Sequence, residues 1–441
     1  GLAARTSHNE WYIGLLMAIV NFGGLPYGLI AGKVMEALGR KKTVTYGGGV
    51  CLLATFLSGV APTYTSQCLA RIITGVGSGM ISSAIPVYIA EMGPRDVRGT
   101  LQALYQLAVT IQILLGCLLG YYILGPNRDM LPVNYCPTLS AGASASKNFL
   151  LLLPGMLLSA VIVVVGATLM PESHAWSGYQ DPEVRWDPEV EAETEKLTRK
   201  SPEAYGASEV PDREASDLPP IPRTYLGLLH CPQSVLAAYA MALAQQATGI
   251  NAVMFYAPKF LALGGVQLKM LGSVVVMLWN FLTTLLAMAL VDRVGRRTLL
   301  LPCMFVMAVA LLLMGPTYAA IHAKFLSSYW CYVPLFAFIT GFAIGPGTLF
   351  GVILNEIFPE EVLPFGAPLV GTSCGLFALL TTALFPPLEM ALGTGVFGIF
   401  GGITAVVWTY LLVCLPETKG CTRQQITRKV TQGSWLQGLY A

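Results

Sequence analysis

The feature that most constrains this chain is a series of long apolar runs with almost no charge inside them. Eleven can be delimited, at 11–33, 44–61, 67–90, 100–124, 148–170, 234–257, 270–291, 298–320, 329–355, 365–388 and 393–415. Runs of this length suit a hydrocarbon core about 30 Å thick. Backbone in lipid must satisfy its own N–H and C=O groups, so such runs predict helices. Composition points the same way. Only 11% of the 441 residues are charged, against about 25% in ordinary globular proteins. Too few charges remain to cover a water-facing surface, and the chain is read as an all-α integral membrane protein.

Other totals exclude whole classes of function. A net charge of +2 offers no field for nucleic acid. The ten cysteines form no CxxC pair, and His8, His174, His230 and His322 stand alone without metal-ligand spacing. There is no HExxH motif and no phosphate loop. Neither an enzyme nor a metal or cofactor is expected.

Lys and Arg in the connections set the orientation. Residues 33–43, 91–99, 171–223, 292–297 and the tail after 415 carry 19 of them, and the alternate connections carry six. The remaining one, Arg71, lies inside a run. This asymmetry predicts a cytoplasmic C-terminus, with the plasma membrane as the expected location. Residues 172–223 hold 13 acids and six bases among several prolines, the composition of a flexible cytoplasmic linker. The expected organisation is an N-terminal half at 1–171, the linker at 172–223, a C-terminal half at 224–418 and a tail at 419–441.

Three signatures occur twice in the same order. Gly39-Arg40-Lys41-Lys42 returns as Gly295-Arg296-Arg297, Ile89-Ala90-Glu91-Met92 as Leu354-Asn355-Glu356-Ile357, and Pro171-Glu172-Ser173 as Pro416-Glu417-Thr418. The offsets of 256, 265 and 245 residues are near-constant, which predicts two pseudo-symmetric halves packed about a midplane site, a transporter plan. One run precedes Gly39 but two precede Gly295. The expectation is therefore a twelve-helix plan whose first helix is absent from the sequence.

The ordered set of motifs resembles the sugar porter family of the major facilitator superfamily, which includes the facilitative glucose transporters. The matching stretches are Gly39-Arg40-Lys41, Arg71 with Gly75, Gly77 and Gly79, Pro86 to Glu91, Arg98-Gly99, Pro171-Glu172-Ser173, Gln245 to Asn251, Asp292 to Arg297, Gly345-Pro346-Gly347, Asn355 to Pro359 and Pro416 to Gly420. The resemblance implies the major facilitator fold and transport of a small neutral polyhydroxy solute, a hexose first, by alternating access. The expected partners are that sugar-like solute and the bilayer, with no nucleic acid; a monomer suffices. A porter for a polyol, pentose or organic ion is the alternative, and a non-transporting sensor or degenerate copy is another.

Specific residues carry these expectations. Arg40, Glu91, Arg98, Glu172, Asp292, Arg296, Arg297, Glu356 and Glu417 sit at run ends, where bridges between the halves would close the inner mouth. Gln245, Gln246, Asn251 and Asn280 fall at or near mid-depth. Amides are costly in hydrocarbon unless satisfied, and as donors and acceptors together they suit hydroxyl groups. Gly249 permits a helix break that turns Gln245 and Asn251 to one cavity. The resemblance makes these four amides look like hexose contacts, and Phe255 and Tyr256 like outer-gate aromatics. It also places the family's Gln of run 100–124 on Cys117, with Gln112 five residues earlier and on another face, and its Trp on Gly351. Run 365–388 reads Cys374-Gly375 at its polar positions, so the facing wall is expected to be remodelled. In proton-coupled members Arg71 pairs with an acid on the first helix; no acid sits mid-run here, which favours facilitated diffusion.

Overall fold

The computed structural model describes residues 2–61, 63–93, 98–124, 161, 163–173, 222, 224–257, 260–261, 265–266, 269–291, 293–359, 361–419, 421 and 425–426. The first half contains α1 (Leu2–Leu38), α2 (Arg40–Val60), α3 (Tyr64–Met92) and α4 (Arg98–Leu124), and residues 163–169 are helical. The second half opens with a 3-10 turn (Tyr225–His230). It continues through α5 (Pro232–Gln246), α6 (Ile250–Phe255), α7 (Lys269–Val291), α8 (Arg296–His322), α9 (Tyr332–Phe342), α10 (Thr348–Ile357), α11 (Leu363–Leu392) and α12 (Val396–Cys414). No strand occurs among the described residues.

Eight helical segments among the described residues are long and apolar enough to cross a membrane. One of them, Leu363–Cys414, contains two of the sequence runs. Most of run 148–170 lies outside the described residues. Run 234–257 forms helix, but in two pieces, because Gly249 adopts φ +86. Left-handed backbone is open to glycine and strained for other residues. Other boundaries also have local causes. Gly39 at φ +84 turns α1 into α2, Thr63 and Ser66 form a reciprocal cap that starts α3, and Gly345-Pro346 sits in a π-type turn that kinks α9 into α10.

Small residues set the helix packing. On α1, Gly23 and Gly24 lie against Ile72, Gly75 and Gly79 of α3, so close that a Cβ on Gly23 would collide with the Ile72 carbonyl. Where both partners are bathed in lipid, such close backbone approach is a main source of helix association. Across the halves, α1 packs on α11 and α4 on α7.

Two buried apolar layers result. One holds Ala31, Met35, Leu300, Ile353 and Leu363, and the other holds Tyr256, Phe260, Phe385, Phe397 and Phe400. Along α1, Met17 touches the second layer, Val20 to Gly28 face a cavity, and Ala31 to Met35 enter the first layer. Helix α11 passes the same levels in the opposite order. The cavity therefore lies between the layers and between the halves.

Candidate functional site

The end of the bundle where α2 and α8 begin carries the repeated charge motif twice, with the same pairs of residues in contact. Arg40 Nη2 donates to Glu91 Oε1 at 2.6 Å and Nη1 to the Met35 carbonyl at 3.2 Å. Arg296 Nη2 donates to Glu356 Oε1 at 3.2 Å and Nη1 to the Val291 carbonyl at 3.3 Å. Glu172 Oε1 accepts the backbone N–H groups of Arg40 and Lys41 at the start of α2. Glu417 accepts those of Arg296 and Arg297 at the start of α8. A carboxylate there meets both the unpaired donors and the positive end of the helix dipole. Gly39 and Gly295 are small because their acids are close: a Cβ on Gly39 would stand 2.5 Å from Glu172 Oε2, and one on Gly295 would collide with Glu417. Ser173 and Thr418 complete the match by donating to Glu91 and Glu356.

Bridges between the halves were expected at this end of the bundle. Arg40–Glu91 and Arg296–Glu356 each join helices of one half. The acids bind the nearest helix start of their own repeat, whose amides are fixed in place. Arg297 uses its side chain differently, donating to the Leu412 carbonyl at 2.8 Å in the last turn of α12. Asp292 and the Arg98 side chain lie outside the described residues. Cross-half contact at this level is instead made by Tyr225, whose hydroxyl donates to the Leu29 carbonyl at 2.9 Å, and by Gly32 against Pro364 and Phe365.

The cavity between the layers has a volume of about 360 Å³, within the range of small-ligand sites. Gln245, Gln246 and Asn251 all line it. The left-handed Gly249 carries the chain across the gap between α5 and α6, so that Asn251 Nδ2 donates to Gln246 Oε1 at 2.6 Å. That bond uses the Gln246 oxygen and one Asn251 N–H, and leaves the Asn251 oxygen as an acceptor. Gln245 Oε1 faces the Cys374 thiol at 4.0 Å. Asn280 does not join them. It is 3% exposed, its Oδ1 has no partner among the described residues, and it is not among the cavity-lining residues.

The two aromatic residues separate as well. Tyr256 is buried and stacks on Phe385 at 5.2 Å, whereas Phe255 is 42% exposed. They are neighbours in sequence at a helix end and point different ways, so only Tyr256 belongs to the layer over the cavity. Arg71 Nη1 donates to the Leu16 carbonyl of α1 at 3.3 Å.

Sequence reading expected the facing wall to be remodelled and left its polar residues unnamed. Cys117 is buried in the aromatic layer, and Gln112 is exposed on the bundle exterior. Neither reaches the cavity. The polar residues that do are Asn21 of α1, Ser78, Ser82 and Ser83 of α3, and Gln102, Tyr105 and Gln106 of α4. Their signal was the helical spacing: Ser78 and Ser82 are four apart, as are Gln102 and Gln106, each pair one turn apart on one face. Among the described residues that line the cavity there is no Asp, Glu, Lys or Arg.

The family model described as "Sugar (and other) transporter" matches residues 2–430. The chain belongs to the sugar transporter family. Among its relatives, sugar transport protein MST7 of Oryza sativa subsp. japonica is 31% identical over 412 residues, covering 91% of this chain and 76% of the relative. The galactose-proton symporter of Escherichia coli K12 is 28% identical over 450 residues, covering 99% and 89%. The proton:xylose symporter XylE, solved with 6-bromo-6-deoxy-D-glucose, superposes with a TM-score of 0.74 at 19% identity, over 95% of this chain and 89% of that one. That likeness establishes the major facilitator fold. This sugar transporter is thus a multi-pass integral membrane protein, and family and fold are those of membrane transporters rather than enzymes.

Proposed function

We propose that the solute is neutral and polyhydroxylated, of hexose size, and that it crosses by alternating access through facilitated diffusion. The observation that carries this reading is the cavity itself. It holds the Gln245–Gln246–Asn251 amides on one side, serines and glutamines on the other, and no charged side chain among the described lining residues. Amides and hydroxyls both donate and accept, as sugar hydroxyls do. A charged solute would lose its hydration and find no counter-charge, a cost of several kcal/mol. Proton coupling needs a titratable group that reports to both sides, and the described lining residues include no carboxylate. The repeated Arg–Glu–helix clusters act within each half as rigid struts, so that the halves rock as bodies about the cavity. The division at 172–223, the cytoplasmic C-terminus and the plasma membrane complete the proposal. In vesicles of purified protein, D-glucose uptake should equilibrate and ignore an imposed pH gradient. Accumulation above the outside concentration, abolished by a protonophore, would overturn facilitated diffusion.

A further inference from the structure

We propose that Gln102 is a specificity-determining residue whose side-chain oxygen accepts a hydrogen bond from one particular hydroxyl of the solute, in a subsite opened by Gly351. The proposal rests on the reading above, that the cavity carries a neutral polyhydroxy solute.

Gln102 lies on α4 in the first half and is 3% exposed. Its Nε2 donates to the Pro86 carbonyl at 2.8 Å. A carbonyl can only accept, so this contact fixes which end of the amide is nitrogen and which is oxygen. The oxygen then faces α10 of the second half, where an ideal Cβ on Gly351 would stand 3.3 Å from it. Both residues line the cavity. This oxygen has no hydrogen-bond partner among the described residues.

The protein offers it little. Thr348, a turn before Gly351, already donates its hydroxyl to the Ala343 carbonyl at 2.6 Å, and Gly351 has no side chain. A buried acceptor left unpaired is a standing penalty on the closed cavity. A hydroxyl entering the space that a larger residue at 351 would fill can remove it. The same space is bounded by a carbonyl oxygen from the facing half. The wall therefore selects for a hydroxyl donor, and it does so across the interface between the halves, so that binding also draws them together.

The test uses vesicle uptake of D-glucose, D-xylose and sorbitol by the full chain, followed by the mono-deoxy and mono-fluoro analogues of whichever parent is carried. One deoxy analogue should bind about 5- to 100-fold more weakly than its parent. The matching fluoro analogue, which accepts but cannot donate, should be equally weak. In Gln102→Leu the parent should fall to the level of that analogue while the analogue itself changes little. Gly351→Ser, which supplies a protein hydroxyl to the same oxygen, should erase the same preference and keep thermal stability. If Gln102→Leu weakens parent and every analogue alike, or if both variants keep the wild-type preference, the proposal is overturned and the transport reading stands. If wild-type protein carries none of the three parents, the transport reading falls and takes this proposal with it.

Discussion

Gly249→Ala should damage solute binding out of proportion to its size, because two independent costs meet at that residue. The backbone sits at φ +86 and ψ 14, where an L side chain costs about 1–2 kcal/mol relative to glycine. A Cβ would also stand 3.0–3.1 Å from three atoms of the Phe400 ring. That ring is 5% exposed and faces Phe385 at 6.4 Å, so it yields only by disturbing the aromatic layer, at about 1–3 kcal/mol. Together these give roughly 2–5 kcal/mol. The chain can relieve the strain by rotating α6 against α5, which parts Asn251 from Gln246. Affinity should then fall by about 30-fold or more if most of the cost is taken that way, or the unfolding temperature should drop if it is not. Equilibrium binding of D-glucose and thermal unfolding, measured on the same detergent-solubilised sample, follow both routes. Gly249→Asn separates the terms, since asparagine tolerates the left-handed region but brings the same Cβ. A Gly249→Ala protein with wild-type affinity and wild-type stability would refute the argument that this glycine holds the amides together.

Three further outcomes follow from named contacts. Gln246→Ala and Asn251→Ala should each weaken solute affinity by about 2- to 13-fold without loss of expression; unchanged affinity in both returns these amides to a packing role. Arg40→Leu leaves Glu91 buried without its cation and should destabilise the fold by about 3–5 kcal/mol. Arg40→Leu with Glu91→Leu should recover much of that, and a double variant no better than the single one contradicts the strut. Cysteines placed at Asn134 and Ser201 report the charge-derived topology: an impermeant reagent outside intact cells should label the first only, and labelling of the second alone reverses the orientation.

How far the sequence could be read depended on the physics behind each signal. Helix identity was legible because hydrocarbon allows no other answer for uncharged runs of this length. The repeated glycine, arginine and glutamate motifs were legible too, since both copies solve one problem, a carboxylate seated on a helix start. Their partners were not. Whether an arginine bridges within a half or between halves depends on distances that only packing sets, and the struts close within each repeat. Gln245, Gln246 and Asn251 were legible as cavity-lining residues because amides at mid-depth are costly unless satisfied. Asn280 shared that depth but not the cavity, since depth says nothing about which face of α7 it occupies. Gln102 and Gln106 went unread for a related reason. The glutamines of α4 that line the cavity lie 11 and 15 residues before Cys117, the position the resemblance suggested, and four-residue spacing was the better guide.

If an uncharged cavity between the halves recognises a neutral polyhydroxy solute, charged analogues of that solute should be refused. Counterflow in vesicles preloaded with D-glucose tests it most directly, comparing labelled D-glucose with its charged relatives D-glucosamine and D-gluconate. The cavity offers no counter-ion among its described lining residues, and several kcal/mol of uncompensated desolvation predicts at least about 100-fold discrimination. The account predicts rapid exchange of D-glucose and negligible exchange of both ions. Exchange of either ion at a rate comparable to D-glucose, or no exchange of D-glucose at all, would contradict it.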